Sequence, residues 1–251
     1  MLLLIDIGNT RIKWARLEGQ TLGAQSAAIH AAWTRDDFIN TILRTSARAD
    51  RVLVSNVGGA KVGELVRAAL ADTWNVAAEF AKSTAQAGDV RTGYSDPAKL
   101  GVDRWLAVIA AHALERRAAC VVSVGTAMTI DGVDAAGRHL GGVIVPGPDL
   151  MVSSLLHNTS DIARRAQQGS VKAALFADNT FGAVQQGAVH ALAALIERAF
   201  ATMQREVNEQ PALLLTGGAS DAVGAALALP YRSTPDLVLR GLAVLAAQSH
   251  G

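Results

Sequence analysis

Apolar residues form a short unbroken run near the start of the chain, and a polar turn follows it. The run from Leu2 to Ile5 predicts a buried strand, and the turn residues Gly8 to Thr10 predict a tight reversal. Apolar positions recur from Ile12 to Leu17, which predicts a returning strand. The pattern therefore predicts a β-hairpin with Asp6 at the end of its first strand.

A second stretch repeats this order of strand, turn and strand. In VVSVGTAMTIDGV (Val121 to Val133), a polar turn that begins at Gly125 separates two apolar segments. Aligning Gly8 with Gly125 places Asp6 over Ser123. The repeat predicts a second hairpin that is related to the first.

A further pair of stretches shares the pattern of strand, Gly-Gly turn and helix. These stretches are Val52 to Leu70 and Leu213 to Leu229. Chance similarity between apolar strands is the alternative, but two pairs in the same order favour duplication. We therefore predict two related α/β domains, residues 1–118 and 119–251. Because no Pro-, Ser- or Gly-rich linker separates them, we expect a cleft between closely packed domains, where small ligands usually bind.

The composition and net charge exclude some kinds of binding partner for this chain. The 251 residues are 50% hydrophobic and 18% charged, and 23 basic against 22 acidic residues give a formal net charge of +1. This balance excludes capture of nucleic acid or of an anionic membrane by net charge. No apolar run reaches the ~18 residues that a membrane helix needs, and the first residues lack a basic segment. We expect a cytoplasmic protein with no nucleic acid or membrane partner, in which the single cysteine, Cys120, is a core residue.

The common nucleotide-binding loops do not occur in the sequence. The chain contains neither GxxxxGKS/T nor GxGxxG after a strand. The two hairpin turns offer another arrangement, because their Gly, Thr and Asn residues would present backbone N–H groups and hydroxyls to a polyphosphate. Asp6 would repel phosphate unless a cation lies between them, and Mg²⁺ prefers one or two carboxylates with waters and phosphate oxygens. The alternative is an acid that ends a strand or caps a turn.

Plainer interpretations remain open for other turn residues. Thr10 and Thr126 are also typical of ordinary hairpins, and Arg11 and Lys13 alternate as they would on a solvated strand face. The pair Gly217 to Gly218 would let an adenine ring approach the backbone. It is equally compatible with a plain strand-to-helix turn.

Six short motifs are spread over nearly the whole chain. They are DIGNT (Asp6 to Thr10), TGY (Thr92 to Tyr94), LGVDRW (Leu100 to Trp105), VGTAMTID (Val124 to Asp131), GGVIVPG (Gly141 to Gly147) and NTFGAVQQG (Asn179 to Gly187). In this order they resemble the type III pantothenate kinase family, which includes proteins described as Bvg accessory factors. The resemblance implies a duplicated α/β fold of the actin-like, ribonuclease H-like ATPase (ASKHA) class and a homodimer. It also implies transfer of the ATP γ-phosphate to pantothenate, the first step of coenzyme A synthesis.

The resemblance also implies roles for individual residues. Asp103 is implied to be the general base, which takes the proton of the substrate hydroxyl. The implied ATP contacts are Asp6, Ile7, Gly8, Asn9, Thr10, Arg11, Ile12, Lys13 and Thr126, with Mg²⁺ at Asp6. The implied pantothenate contacts are Tyr94, Gly101, Val102, Asp103, Arg104 and Thr180. Arg104 is suited to pair with the substrate carboxylate.

Structural interpretations of three of these residues stay open. An acid at Asp103 is also explained by the dipole of a helix over Trp105 to Leu114, because the dipole favours a negative charge in the first turn. Tyr94 is also explained as a loop residue packed on its own domain. Thr180 is equally suited to be the N-cap of the helix that follows it.

One position departs from the family pattern. The family commonly has D-x-G-T in the second hairpin, where the Asp is associated with a monovalent cation, usually K⁺, and this chain has Ser123 there. A hydroxyl is a neutral ligand and should bind K⁺ or NH₄⁺ less well than a carboxylate. The need for such a cation stays open. Two other functions also stay open, a kinase of another small hydroxylated substrate on the same fold and an ATP-binding regulatory protein.

Overall fold

The computed structural model describes residues 1–172 and 174–248, and the chain divides into two compact units. Unit 1 consists of Met1–Arg116, Ala136–His139 and the segment from Asp236 onward. Unit 2 consists of Arg117–Ala135 and Leu140–Pro235. The predicted division placed all of 119–251 in the second domain. The two divisions therefore differ at residues 117–118, at the short segment 136–139 and from Asp236 onward.

The secondary-structure elements are numbered in chain order. The first part of the chain contains β1 (Leu2–Ile7), β2 (Arg11–Glu18), β3 (Thr21–Leu22), β4 (Ser26–Ile29), α1 (Arg35–Phe38), β5 (Arg51–Asn56), α2 (Ala60–Trp74), β6 (Ala78–Phe80), β7 (Gln86–Ala87), β8 (Val90–Arg91) and α3 (Val102–Glu115). The later part contains β9 (Ala119–Val124), β10 (Ala127–Val133), β11 (His139–Pro146), α4 (Pro148–His157), α5 (Ser160–Arg165), α6 (Thr180–Val207), β12 (Ala212–Thr216), α7 (Ser220–Gly224), β13 (Arg232–Ser233) and α8 (Leu237–Gln248). A π-helical turn follows α1 at Ile39–Leu43, and a 3₁₀ turn precedes α3 at Pro97–Lys99.

Each unit has a main sheet in which five strands follow the same spatial order. In unit 1 the order is β3-β2-β1-β5-β6, with β4 also paired to β2, and in unit 2 it is β11-β10-β9-β12-β13. The central strand, β1 or β9, is antiparallel to the next strand along the chain and parallel to the later strand, β5 or β12. The predicted duplication is confirmed by this shared order.

The ends of the two central strands are equivalent. Asp6, the penultimate residue of β1, lies opposite Lys13 on β2 and Ser55 on β5. Ser123, the penultimate residue of β9, lies opposite Thr216 on β12. The alignment of Asp6 with Ser123 is therefore confirmed by the register of the two sheets.

The sheet of unit 1 is covered on both faces, which explains the unbroken apolar run in β1. Ile5 belongs to one core cluster, whereas Leu4 belongs to another cluster together with Leu106 of α3 and Leu242 of α8. Successive side chains of a strand point to opposite faces, so a strand covered on both faces shows no polar alternation. Gly241 approaches the Leu106 carbonyl so closely that a side chain would not fit there. This packing places α8 in unit 1.

The second Gly-Gly turn leads into a much shorter helix than the first. Helix α2 has 15 residues, whereas α7 has 5 and ends at Gly224 rather than near Leu229. A side chain at Gly224 would overlap the ring of Tyr231, and the next residues form tight turns instead. None of the helices in residues 1–172 and 174–248 combines the length and apolar character needed to cross a bilayer.

Candidate active site

Asp6 is a buried carboxylate at the end of β1. Its exposed fraction is 8%, and its Oδ1 has no hydrogen-bond partner within the described part of the chain. Burial raises the pKa of Asp6 to about 6, and the negative charge of Asp103 adds to this rise. The positive charge of Lys13 and the hydroxyl of Ser55 act in the opposite direction and lower the pKa of Asp6. Asp6 is therefore not a solvated strand-end acid, and its Oδ1 is suited to a ligand outside the protein.

Lys13 lies beside Asp6 on the neighbouring strand. Burial lowers the pKa of the Lys13 ammonium; Asp6 and Asp236 act to raise it, and Arg11 acts to lower it. Arg11 is exposed, whereas Lys13 is half-buried. The solvated-face interpretation therefore fits Arg11 but not Lys13, which faces the carboxylates of unit 1.

The first hairpin turn is held by backbone and side-chain contacts. Gly8 N donates to Arg11 O at 2.9 Å, and His30 N donates to Thr10 O at 3.2 Å. His30 also contacts the Gly8 carbonyl oxygen through its ring Nε2, at 2.7 Å. The turn therefore has a fixed backbone, as a site built from N–H groups requires.

The remaining residues of the predicted ATP segment divide into core and surface positions. Ile7 and Ile12 are buried in a core cluster of unit 1, so only their backbone groups are available to a ligand. Asn9 and Thr10 are exposed at the tip of the turn.

The beginning of α3 carries Asp103 in a half-buried position. Gly101 is the N-cap residue, and Asp103 is in the first turn, where the helix dipole favours an acid. A side-chain carbon at Gly101 would lie 2.8 Å from Asp103 Oδ1, so glycine leaves room for the carboxylate. The electrostatic effect of Asp103 on Asp6 places the two acids in one charged group. The helix-dipole interpretation and the catalytic interpretation are thus compatible.

Arg104 and Tyr94 contact each other in unit 1. The Arg104 side chain, with 6% exposure, donates to the Tyr94 hydroxyl at 3.0 Å, and its guanidinium carbon lies 5.7 Å from the Tyr94 ring centroid. The Tyr94 ring stacks on His139, with centroids 5.9 Å apart and an interplanar angle of 15°. Gly93 N donates to His139 Nδ1 at 3.4 Å. Val102 of the same predicted set packs against the apolar cluster under α8.

Sequence reasoning missed His139, Ser55 and His30. His139 is the first residue of β11 and follows the second hairpin in the chain, but its segment belongs to unit 1. Ser55 is the polar residue that interrupts the apolar run of β5, and this interruption was the available signal. No local pattern marks His30, because its contacts depend on how β4 pairs with β2.

In unit 2 the turn after β9 is equivalent to the turn after β1. Ser123 is half-buried and Thr126 is exposed, and Thr126 O accepts a hydrogen bond from Gly147 N at 2.8 Å. Gly217 has a φ of +101° and approaches the Val124 backbone, so this position requires glycine. A side-chain carbon at Gly218 would meet nothing within 4 Å. The Gly-Gly pair therefore combines a turn that only glycine adopts without strain with open space beside Gly218.

Thr180 is the first residue of α6 and not its N-cap. The N-cap is Asn179, whose side-chain oxygen accepts a hydrogen bond from Gly182 N at 2.8 Å. The capping interpretation of Thr180 was therefore wrong, because the amide of Asn179 satisfies the first turn. Thr180 is half-buried.

The side chains present fit a magnesium ion bound mainly by phosphate and water. No group of three or more His, Cys, Asp or Glu residues suited to hold a metal occurs among residues 1–172 and 174–248. Mg²⁺ commonly takes only one or two carboxylates, with phosphate oxygens and waters as its other ligands. The unpartnered Asp6 Oδ1 matches this requirement.

Comparisons with known proteins agree with the motifs. The family model of type III pantothenate kinases matches residues 2–202. A type III pantothenate kinase of Nitrosococcus oceani is 36% identical over 251 residues, which cover 98% of this chain and 94% of that protein.

Solved structures confirm the fold class. A Baf family protein of Campylobacter jejuni matches with a TM-score of 0.61 and 21% identity, covering 99% of this chain and 98% of that one. Component A of the (R)-2-hydroxyglutaryl-CoA dehydratase of Acidaminococcus fermentans matches with a TM-score of 0.55 and 14% identity, covering 98% and 96%. The fold is therefore of the actin-like class. From the match over residues 2–202 and the full-length similarity, the chain belongs to the type III pantothenate kinase family.

Proposed function

We propose that this chain transfers the γ-phosphoryl group of ATP to pantothenate and forms 4'-phosphopantothenate, the first step of coenzyme A synthesis. The observation that carries the proposal is the family match together with the grouping of Asp6, Lys13 and Asp103 in unit 1. Phosphoryl transfer to an alcohol needs a positioned hydroxyl, a proton acceptor and cationic groups near the phosphates. Asp103 is the candidate proton acceptor, Lys13 is a candidate cationic group, and Asp6 would hold a further cation.

Asp103 is proposed as the general base. Its place in the first turn of α3, beside Gly101, gives the carboxylate a defined position with access for a substrate hydroxyl. The carboxylate would accept the hydroxyl proton as the oxygen attacks the γ-phosphorus. A base of this kind contributes about 10² to 10⁴-fold to the rate.

Arg104 and Tyr94 are proposed to bind pantothenate. Arginine binds carboxylates through two parallel N–H donors, and a buried guanidinium gains from an anionic partner. Arg104 is buried and already fixed by the Tyr94 hydroxyl, and Tyr94 is fixed in turn by His139. The substrate carboxylate would therefore meet a pre-organised donor. Gly101, Val102 and Thr180 are further proposed contacts on the strength of the family resemblance.

The first hairpin turn is proposed to bind the ATP phosphates. Asp6 would hold Mg²⁺, which would supply charge neutralisation at the phosphate oxygens when bound. Lys13 would add a cation, and the turn from Gly8 to Thr10 would add backbone N–H groups. Thr126 is proposed as a second ATP contact, and the open space at Gly218 suits the adenine ring.

A substrate panel tests the proposed function. The purified chain is incubated with ATP, Mg²⁺ and either pantothenate, a hexose or acetate, and ADP release is followed. We expect turnover with pantothenate alone. Turnover with a sugar or acetate instead would favour a different kinase, and nucleotide binding without turnover of any acceptor would favour a regulatory protein.

The monovalent cation can be tested at Ser123. Ser123 lies opposite Thr216, so this strand end offers hydroxyls rather than a carboxylate, and we expect weak activation by K⁺ or NH₄⁺. Ser123→Asp should lower the K⁺ concentration for half-maximal rate by about tenfold, since a carboxylate adds a full charge to the site. Rates are measured with K⁺, NH₄⁺ and Na⁺. Equal rates of the wild type with none of them added would remove the cation from the proposal.

A homodimer is proposed to use the exposed apolar residues at the β11 edge of unit 2. The edge strand β11 carries Ile144 at 60% exposure, with Val143 beside it, and α4 exposes Leu150 and Leu155. An exposed apolar edge strand favours association with another chain. Ile144→Lys should therefore give a monomer by light scattering. The control is Ile29→Lys on β4, which has the same 60% exposure and should remain dimeric; a wild-type monomer would contradict the proposal.

A further inference from the structure

His30 lies next to the proposed phosphate-binding turn but outside every predicted site. It directly follows β4, and its exposed fraction is only 5%. We infer that His30 is a positioning residue for ATP, which fixes the peptide between Gly8 and Asn9 so that the turn presents its backbone to phosphate. The inference rests on the proposed binding of ATP at this turn.

The contact between His30 and the turn has two parts. The ring Nε2 lies 2.7 Å from Gly8 O, and because a carbonyl oxygen only accepts, Nε2 carries the proton and donates it. The backbone N of His30 donates to Thr10 O at 3.2 Å. One residue therefore holds the carbonyl groups at both ends of the three-residue turn.

The ring itself is held in place by the core of unit 1. It meets Trp33 edge to face, with centroids 6.5 Å apart, and Trp33 meets the fully buried Phe38 in the same manner. Trp33 N also donates to His30 O at 3.0 Å. The donor on His30 is therefore rigid, which a positioning role requires.

The hydrogen bond to Gly8 O determines where the next N–H points. The peptide bond is planar and trans, so the Asn9 N–H is directed away from the oxygen that His30 binds. With Gly8 O turned toward His30, the Asn9 N–H faces the opposite side of the turn. Backbone N–H groups of such turns are the groups that bind phosphate.

The backbone at Gly58 lies close to the Gly8 carbonyl oxygen on another side. A side-chain carbon at Gly58 would lie 2.8 Å from Gly8 O and 3.5 Å from His30 Cε1. The position of Gly58 is fixed by Asn56, whose Oδ1 accepts from Gly58 N at 3.0 Å. Only a residue without a side chain at Gly58 is compatible with the observed position of Gly8 O.

The test compares His30→Leu, which removes the donor, with His30→Gln, which keeps a side-chain N–H. Binding of the non-hydrolysable analogue AMPPNP with Mg²⁺ is measured by calorimetry, together with the KM values of ATP and pantothenate. His30→Leu should weaken AMPPNP binding and raise the KM of ATP by about 2- to 12-fold, the usual effect of one hydrogen bond. The KM of pantothenate should stay within about twofold, and His30→Gln should recover most of the loss.

Controls separate positioning from a general loss of structure. His112→Leu removes another buried histidine of unit 1, on α3, and should leave AMPPNP binding unchanged. If His30→Leu does not fold, Gly58→Ala should weaken AMPPNP binding in its place, because its side-chain carbon would overlap Gly8 O at 2.8 Å but meet the His30 ring only at an ordinary contact distance of 3.5 Å. Wild-type AMPPNP affinity in folded His30→Leu, or equal losses in His30→Leu and His30→Gln, would overturn the inference. Since calorimetry needs no pantothenate, an enzyme that binds AMPPNP but does not phosphorylate pantothenate would refute the proposed function alone.

Discussion

Asp103→Asn is expected to lower kcat by about 10² to 10⁴-fold, the range for removal of a general base. Asparagine keeps the shape of the side chain and fits the room left by Gly101, but its amide cannot accept the hydroxyl proton. The affinity for nucleotide should change little, because Asp103 is proposed to act on the acceptor hydroxyl. Single-turnover rates and calorimetry of AMPPNP separate the two effects.

Asp149→Asn provides a matched control for this variant. Asp149 occupies the same position in α4 as Asp103 does in α3, two residues after an N-cap glycine. Both substitutions remove a favourable interaction with a helix dipole, worth about 0.3 to 1 kcal/mol. Only Asp103→Asn should lose activity, and near-normal turnover by that variant would reject the catalytic role.

Asp6→Asn is expected to make the protein more stable at pH 8 while abolishing Mg²⁺-dependent activity. The pKa of Asp6 is raised by burial to about 6, so the folded state holds the proton to a higher pH than the unfolded state. The stability contributed by the protonated group therefore falls as pH rises from about 4 to about 6. Above pH 6 the buried charge costs up to about 3 kcal/mol, a figure that already includes the favourable effect of Lys13, so the gain from asparagine should reach at most about 3 kcal/mol.

Urea unfolding of the wild type and of Asp6→Asn at pH 4.5 and pH 8 measures this effect. The gain from asparagine should be larger at pH 8 than at pH 4.5. Asp50→Asn is the control, because the exposed Asp50 pairs with the terminal amine, which lowers its pKa, and this variant should bring no gain at pH 8. An Asp6→Asn variant no more stable than the wild type at pH 8 would refute the burial cost.

The duplicated sheet could be predicted from the sequence because local patterns encode it. An apolar run, a Gly turn and a second apolar run are sufficient to identify each hairpin, and the two glycines gave the correct alignment of Asp6 with Ser123. The placement of α8 could not be predicted. Its apolar positions indicate a helix with a buried face but do not say which of two cores it covers.

The candidate site was predictable only in part for the same reason. Asp6 and Asp103 stand out as acids at the ends of apolar segments, so sequence alone marks them. His139 and His30 carry no such mark, because the stack on Tyr94 and the contact with Gly8 arise from pairing between distant segments. The length of α7 was overestimated because the ring that packs on Gly224 comes from Tyr231, beyond the helix.

Mass spectrometry of pantothenate after incubation with the purified chain shows whether this protein is a pantothenate kinase. Wild type and Asp103→Asn are incubated in parallel with ATP, Mg²⁺ and pantothenate, and the acceptor is analysed for one added phosphoryl group. We expect phosphopantothenate from the wild type and almost none from Asp103→Asn in the same time. Unchanged pantothenate in the wild-type reaction, with AMPPNP still bound, would contradict it.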